Sequence, residues 1–102
     1  MKIDILYIEG CPNHKPASER VRAVLRDAGI SADVNEIEIA DEAAAKKFGF
    51  PGSPTIRVDG VDVDPAMRGA QTGRVACRYY SDKLPPAEMI RAALYEAEGR
   101  RE

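Results

Sequence analysis

The chain has 102 residues, of which 44% are hydrophobic and 31% charged. This is enough to bury one core and too little for tandem domains. The net charge of −2, from 15 basic and 17 acidic residues, lacks the basic excess that attracts phosphate backbones or anionic lipids. We therefore expect neither nucleic acid nor a membrane as a partner, and no apolar run approaches the roughly 20 residues of a spanning helix.

The N-terminal sequence and the cysteine count together indicate a compartment. Residues from Met1 to Ile5 enter a strand pattern directly, without the basic, apolar and small-residue order of a signal peptide, which predicts a cytoplasmic protein. Cys11 and Cys77 are too few for a disulfide scaffold or a four-thiolate zinc site. In a reducing compartment such a pair is catalytic, redox-sensing or inert rather than structural. No flavin, nicotinamide or phosphate motif is visible, and no cofactor or metal is expected.

The first half of the chain alternates strand and helix patterns. An almost continuous apolar run from Ile3 to Ile8 predicts a buried central strand. Apolar residues at helical spacing predict a helix over Lys15 to Ala28. Imperfect alternation from Val34 to Ile39 then indicates a half-exposed edge strand. Asp41 can cap a short helix over Glu42 to Phe48.

The second half begins with a hairpin pattern and ends with a helix pattern. Two short strands, Thr55 to Val58 and Val61 to Val63, flank the turn dipeptide Asp59-Gly60. The 22 residues from Asp64 to Pro85 show no clear period and exceed the usual connection length, which indicates a functional or mobile loop insertion. Pro86 starts the last predicted helix.

This order, βαβαββα, predicts a single α/β domain over residues 1–102. We expect a four-stranded mixed sheet with the first and third strands central and helices on both faces. Two local features narrow the choice of fold. Cys11-Pro12 stands between the first strand and the first helix, and Ser53-Pro54-Thr55 stands at the start of the third strand.

On these residues the chain resembles the thioredoxin-like superfamily, in which Cys-Pro-x-Cys opens the first helix and a cis-proline precedes the third strand. The resemblance covers about residues 2–63 and the last helix. It implies a thiol-dependent oxidoreductase with a cis peptide bond after Ser53. Pro12, Ser53, Pro54 and Thr55 are then the residues that face the substrate.

The motif also departs from that family. His14 stands where dithiol members carry the second cysteine, so two-cysteine exchange within Cys11-Pro12-Asn13-His14 is not available. Thioredoxins proper often have an aromatic residue before the first cysteine, but this chain has Glu9-Gly10 there and no Trp. The Gly-Cys-Pro-Asn-His segment and a later Cys-Arg-Tyr-Tyr are similar to a group of small bacterial thioredoxin-like proteins, some of which carry alkylmercury-lyase names.

Cys11 and His14 are the first candidate pair. A cysteine at a helix N-terminus lies against unsatisfied N–H groups and the positive end of the helix dipole, which favour the thiolate, so Cys11 is a candidate nucleophile. The alternative is a small buried residue that fills the strand-to-helix junction. His14, three residues on, can pass a proton to a leaving thiolate or pair with Cys11. Its alternative is an exposed first-turn residue without a role.

Cys77 and its arginine neighbours are the second candidates. The long loop begins at the end of the sheet where Cys11 lies, and its length allows Cys77 to reach Cys11. Cys77 is therefore the candidate resolving thiol, with a buried apolar residue as the alternative. Arg74 and Arg78 can bind an anionic substrate group, although surface solvation accounts for either arginine.

The leading interpretation is a thiol-disulfide oxidoreductase that acts on a thiol or disulfide, either protein or small molecule. Cys11 attacks the sulfur electrophile, and Cys77 or an external thiol resolves the intermediate. One alternative is a non-catalytic binding module that keeps the scaffold. Another is soft-metal or organomercury chemistry by thiolates. Nothing in the sequence specifies an oligomeric state.

Overall fold

The computed structural model describes residues 1–50, 52–67 and 84–100. A single 3-10 turn, Pro65–Met67, follows the last strand. The strands and helices in chain order are β1 Lys2–Tyr7, α1 His14–Ala28, β2 Asp33–Glu38, α2 Glu42–Phe48, β3 Thr55–Val58, β4 Val61–Asp62 and α3 Ala87–Arg100.

The four strands form one mixed sheet in the order β2-β1-β3-β4. β1 is parallel to β2 and antiparallel to β3, and its Ile5 lies opposite Glu36 on one side and Ile56 on the other. β4 returns antiparallel to β3. The predicted α/β class, the βαβαββα order and the central position of the first and third strands are therefore confirmed.

Each face of the sheet has its own hydrophobic cluster. Side chains alternate along β1, so Ile3 and Ile5 point to one face and Leu6 to the other. On the first face Ile3 and Ile5 pack with β3 and with the buried sides of α1 and α3. On the second face Leu6 packs with Ile39, Ala45 and Phe50, which brings α2 onto the sheet. Helices cover both faces, as predicted.

The short helix α2 is secured at both ends. Asp41 is its N-cap, and Asp41 Oδ1 accepts a hydrogen bond from the Ala44 N–H at 2.8 Å. Gly49 ends the helix in the left-handed region, at φ 57°. Arg57 of β3 donates from Nη1 to the Phe48 carbonyl at 2.6 Å and from Nη2 to the Gly49 carbonyl at 3.0 Å. One side chain of β3 thus fixes the C-terminal end of α2 against the sheet.

We expect Arg57→Ala to lower the free energy of unfolding by about 2 kcal/mol, because two carbonyl groups lose a charged donor. Urea unfolding followed by circular dichroism measures this loss. Arg26→Ala is the matched control: Arg26 is an exposed arginine in the last turn of α1, and its removal should cost less than about 0.5 kcal/mol. Equal losses in the two variants would contradict a capping role for Arg57.

The structure differs from the predicted boundaries in a few places. β1 and β2 each begin one residue earlier than predicted, and β4 ends one residue earlier. α3 begins at Ala87, one residue after the predicted start, and continues through Glu98 to Arg100. Ala97 is fully buried, and this anchors the turn that follows it. Within the described residues no helix combines the length and apolar character needed to cross a membrane.

Candidate functional site

Cys11 lies in a tight turn between β1 and α1. Its N–H donates to the Ile8 carbonyl at 3.2 Å, and its carbonyl accepts from the His14 N–H at 3.3 Å. Gly10, at φ 79°, supplies the left-handed step that the turn needs. α1 begins at His14, and its N-cap residue Asn13 makes no side-chain capping bond. As predicted, Cys11 lies between the first strand and the first helix, and its backbone closes the turn that precedes α1.

The Cys11 side chain is a free thiol of intermediate exposure. Cys11 is therefore not fully buried in the strand-to-helix junction. Pro12, which follows it in the turn, is exposed. Part of Cys11 is therefore in contact with solvent.

The Ser53-Pro54 segment is joined to the Cys11 turn through one residue. Ser53 Oγ accepts a hydrogen bond from the Ile8 N–H at 3.2 Å, and the Ile8 carbonyl is the group that holds the Cys11 N–H. Ser53 and Pro54 are both buried, and the peptide bond between them is cis, the geometry that the resemblance implied. Ile8, just after β1, thus hydrogen-bonds both to the segment before β3 and to the cysteine turn, and it fixes the position of one relative to the other.

Thr55 also begins β3 at this end of the sheet. Its side chain is fully buried, and its hydroxyl donates a hydrogen bond to the Gly52 carbonyl. The hydroxyl therefore closes the turn around the cis bond. This contact gives Thr55 a role in shaping the segment that contains the cis bond.

His14 is held by residues from three elements. Its ring stacks on Tyr7 of β1, with ring centroids 3.6 Å apart and planes 7° from parallel. Its Nε2 lies 2.6 Å from Glu36 Oε1 of β2. The other oxygen of Glu36 lies 3.6 Å from Arg22 Nη2 of α1. The His14 side chain is 19% exposed, so it is more enclosed than the exposed first-turn residue of the alternative.

The topology explains why Tyr7, His14, Arg22 and Glu36, here called the His14 cluster, meet. Tyr7 shares a sheet face with Ile5, and that face packs against α1. Glu36 of β2 pairs with Ile5, and this register places its carboxylate on the same face of the sheet as Tyr7. Arg22 lies eight residues after His14 and hence on the same side of α1.

Sequence reasoning identified His14 and missed its three partners. Arg22 lies in the predicted helix and Glu36 in the predicted edge strand, where charged side chains are typical of a solvated surface. The spacing of eight on the helix was the visible signal. The parallel pairing of β1 with β2, which brings Glu36 within hydrogen-bonding distance of His14, was not visible in the sequence.

Three further predicted residues of the site lie outside the described residues: Cys77, Arg74 and Arg78. In the described ranges, no group of three or more His, Cys, Asp or Glu side chains is arranged to hold a metal ion.

A separate groove of about 460 Å³ runs between α1 and α3. Arg20 crosses one end of it and donates to the Pro85 carbonyl at 3.0 Å. Its walls combine apolar side chains such as Val24 and Leu84 with charged ones such as Asp27. Cys11 does not line this groove, which therefore lies apart from the cysteine turn.

Comparison with known families places most of the chain in one of them. The model of a family described as a domain of unknown function, DUF2703, matches residues 13–98. The chain therefore belongs to this family. No curated protein and no solved structure matches it.

Proposed function

We propose that this member of the DUF2703 family is a thioredoxin-like, thiol-dependent redox protein in which Cys11 is the nucleophile. One observation carries the proposal. The half-buried Cys11 thiol lies in a turn whose backbone is tied, through Ile8, to the Ser53-Pro54 cis peptide. The strand order β2-β1-β3-β4 adds support, because it agrees with the order of that superfamily.

The chemistry that this site supports is thiol-disulfide exchange. The Cys11 thiolate attacks one sulfur of a disulfide, a new S–S bond forms, and the substrate bond breaks. The departing sulfur leaves as a thiolate and takes up a proton. A second thiol then resolves this mixed disulfide. Cys77 would attack Cys11 Sγ, expel the remaining substrate sulfur as a thiolate and form a Cys11–Cys77 disulfide. An external thiol would attack the substrate sulfur, release the Cys11 thiolate and remain bonded to that sulfur in the new disulfide. The net change is one disulfide reduced and one formed.

The second thiol is either Cys77 or an external thiol. Cys77 is the other cysteine of the chain, and a histidine stands at the usual partner position. In the reducing cytoplasm, which we propose as the compartment, a small external thiol serves equally well. The proposed substrates are therefore thiol or disulfide compounds.

The reactivity of Cys11 tests the proposal. We use Cys77→Ser, so that one thiol is followed, and measure iodoacetamide alkylation at neutral pH by intact mass. The native chain should react about tenfold faster than the same chain in urea, because redox catalysis requires a thiol that is more reactive in the folded site than in an unfolded chain. A native rate at or below the unfolded rate would overturn redox catalysis and favour a binding module that keeps the scaffold.

Soft-metal or organomercury chemistry is the alternative function, and it is favoured by two thiolates at one site. Thiolates bind soft metals well, and two of them hold such an ion better than one. In the part of the chain that the structure describes, Cys11 is the single cysteine. Thiol-disulfide exchange needs only one nucleophile, so Cys11 alone is sufficient for the attack that we propose.

A further inference from the structure

The Glu36 carboxylate makes the closest polar contact of the His14 ring, at 2.6 Å from Nε2. An ionised carboxylate can only accept a hydrogen bond, so the facing ring nitrogen carries a proton. A neutral imidazole has one ring proton, and a hydrogen bond at one nitrogen decides which nitrogen remains the acceptor. With Nε2 as the donor, Nδ1 is the acceptor.

The rest of the cluster holds both partners in place. Stacking on Tyr7 fixes the plane of the His14 ring, and Arg22 lies beside the other oxygen of Glu36. Glu36 is 35% exposed and the His14 side chain 19%, so solvent only partly screens their contact. A ring held on its face and at one edge has little freedom to rotate.

The remaining ring nitrogen belongs to the residue that adjoins the cysteine turn. The His14 N–H donates to the Cys11 carbonyl at 3.3 Å, so the two residues close one turn. Nδ1 is also the ring nitrogen nearer to the His14 backbone.

We propose that Glu36 is a positioning residue that fixes the ring proton of His14 on Nε2 and leaves Nδ1 to exchange a proton with the sulfur chemistry at Cys11. This inference rests on the proposed function. The Cys11 thiol proton passes to Nδ1, and the imidazolium that forms faces the Glu36 carboxylate. The thiolate attacks the substrate disulfide, and Nδ1 then returns the proton to the departing sulfur. The histidine ends neutral, and no other reactant is needed.

The experiment is a double-mutant cycle on the rate of exchange with an aromatic disulfide, in a Cys77→Ser background. His14→Ala should lower the rate about 100-fold, because it removes the proton carrier. Glu36→Gln should lower it about tenfold and should have no further effect in the His14→Ala chain, since Glu36 acts through His14. Glu36→Asp should recover part of the loss. Asp33→Asn, at the other end of β2, removes the same charge and should leave the rate unchanged.

Nitrogen NMR of the ring gives a readout independent of turnover. The chain has a single histidine, so one pair of ring signals reports its protonation pattern. We expect a protected Nε2 proton in the wild-type chain that is lost in Glu36→Gln and kept in Asp33→Asn. The inference about Glu36 would be overturned if the rate losses of His14→Ala and Glu36→Gln multiplied in the double variant, or if Glu36→Gln left the Nε2 proton unchanged. Neither result would overturn the proposed function. Wild-type exchange no faster than that of the unfolded chain would overturn the proposed function as well.

Discussion

Cys11→Ser is expected to abolish thiol-disulfide exchange completely, because a serine hydroxyl at neutral pH cannot replace a thiolate as the attacking group. The exchange rate with a model disulfide should fall to that of buffer alone. The fold should persist, since Cys11 is only half-buried and its two turn bonds use the backbone. Exchange kinetics and circular dichroism together measure both expectations.

Cys77→Ser is the matched control for this loss, because it removes the other thiol. If Cys77 resolves the intermediate, this variant should accumulate a mixed disulfide at Cys11, and mild oxidation of the wild-type chain should give one Cys11–Cys77 pair in peptide mapping. If an external thiol resolves it, Cys77→Ser should turn over as the wild type does. Full activity in Cys11→Ser would contradict Cys11 as the nucleophile.

Phe50→Ala should produce the largest loss of stability, about 3–5 kcal/mol, because it removes the largest fully buried side chain in the cluster between α2 and the sheet. Such a loss is a large part of the roughly 5–15 kcal/mol that stabilises a typical domain. Phe50 packs there with Leu6, Ile39 and Ala45. In urea unfolding, this loss should appear as a lower midpoint concentration of urea, while the dependence of the unfolding free energy on urea concentration stays unchanged.

Tyr95→Ala is the control for this measurement. Tyr95 is a large aromatic residue of α3 that is 55% exposed, so its removal should change stability by less than about 0.5 kcal/mol. If Phe50→Ala does not fold, Phe50→Leu retains most of the volume and should cost about 1.5 kcal/mol. Similar losses for Phe50→Ala and Tyr95→Ala would contradict a cluster built on Phe50.

Local patterns were sufficient to predict most of the fold. The apolar run before Glu9 predicted β1, and helical spacing predicted α1. The Asp41 cap and the Gly49 terminator bounded α2 to the residue. Asp59-Gly60 predicted a hairpin because both positions need positive φ, and they have φ values of 49° and 84°. Each of these patterns depends on residues close together in the chain, so it is visible in the sequence.

Part of the candidate site was also accessible from sequence. Cys11, Ser53 and Pro54 were singled out by resemblance, and the cis peptide has the predicted geometry. α1 was predicted to begin at Lys15 and begins one residue earlier, at His14. The hydrogen bonds of the Cys11 backbone, which the sequence does not show, close a separate turn before His14.

The sequence by itself determined which segments form strands and helices and that a cysteine lies between β1 and α1. Only the tertiary structure decided the environment of His14. Its partners Tyr7 and Glu36 are 7 and 22 residues away, and they meet because β2 pairs in parallel with β1 in one register. A one-residue slip would turn Glu36 to the other face of the sheet. Hydrophobic alternation specifies the buried face of a strand, but it does not specify which charged side chain of an edge strand reaches a helix.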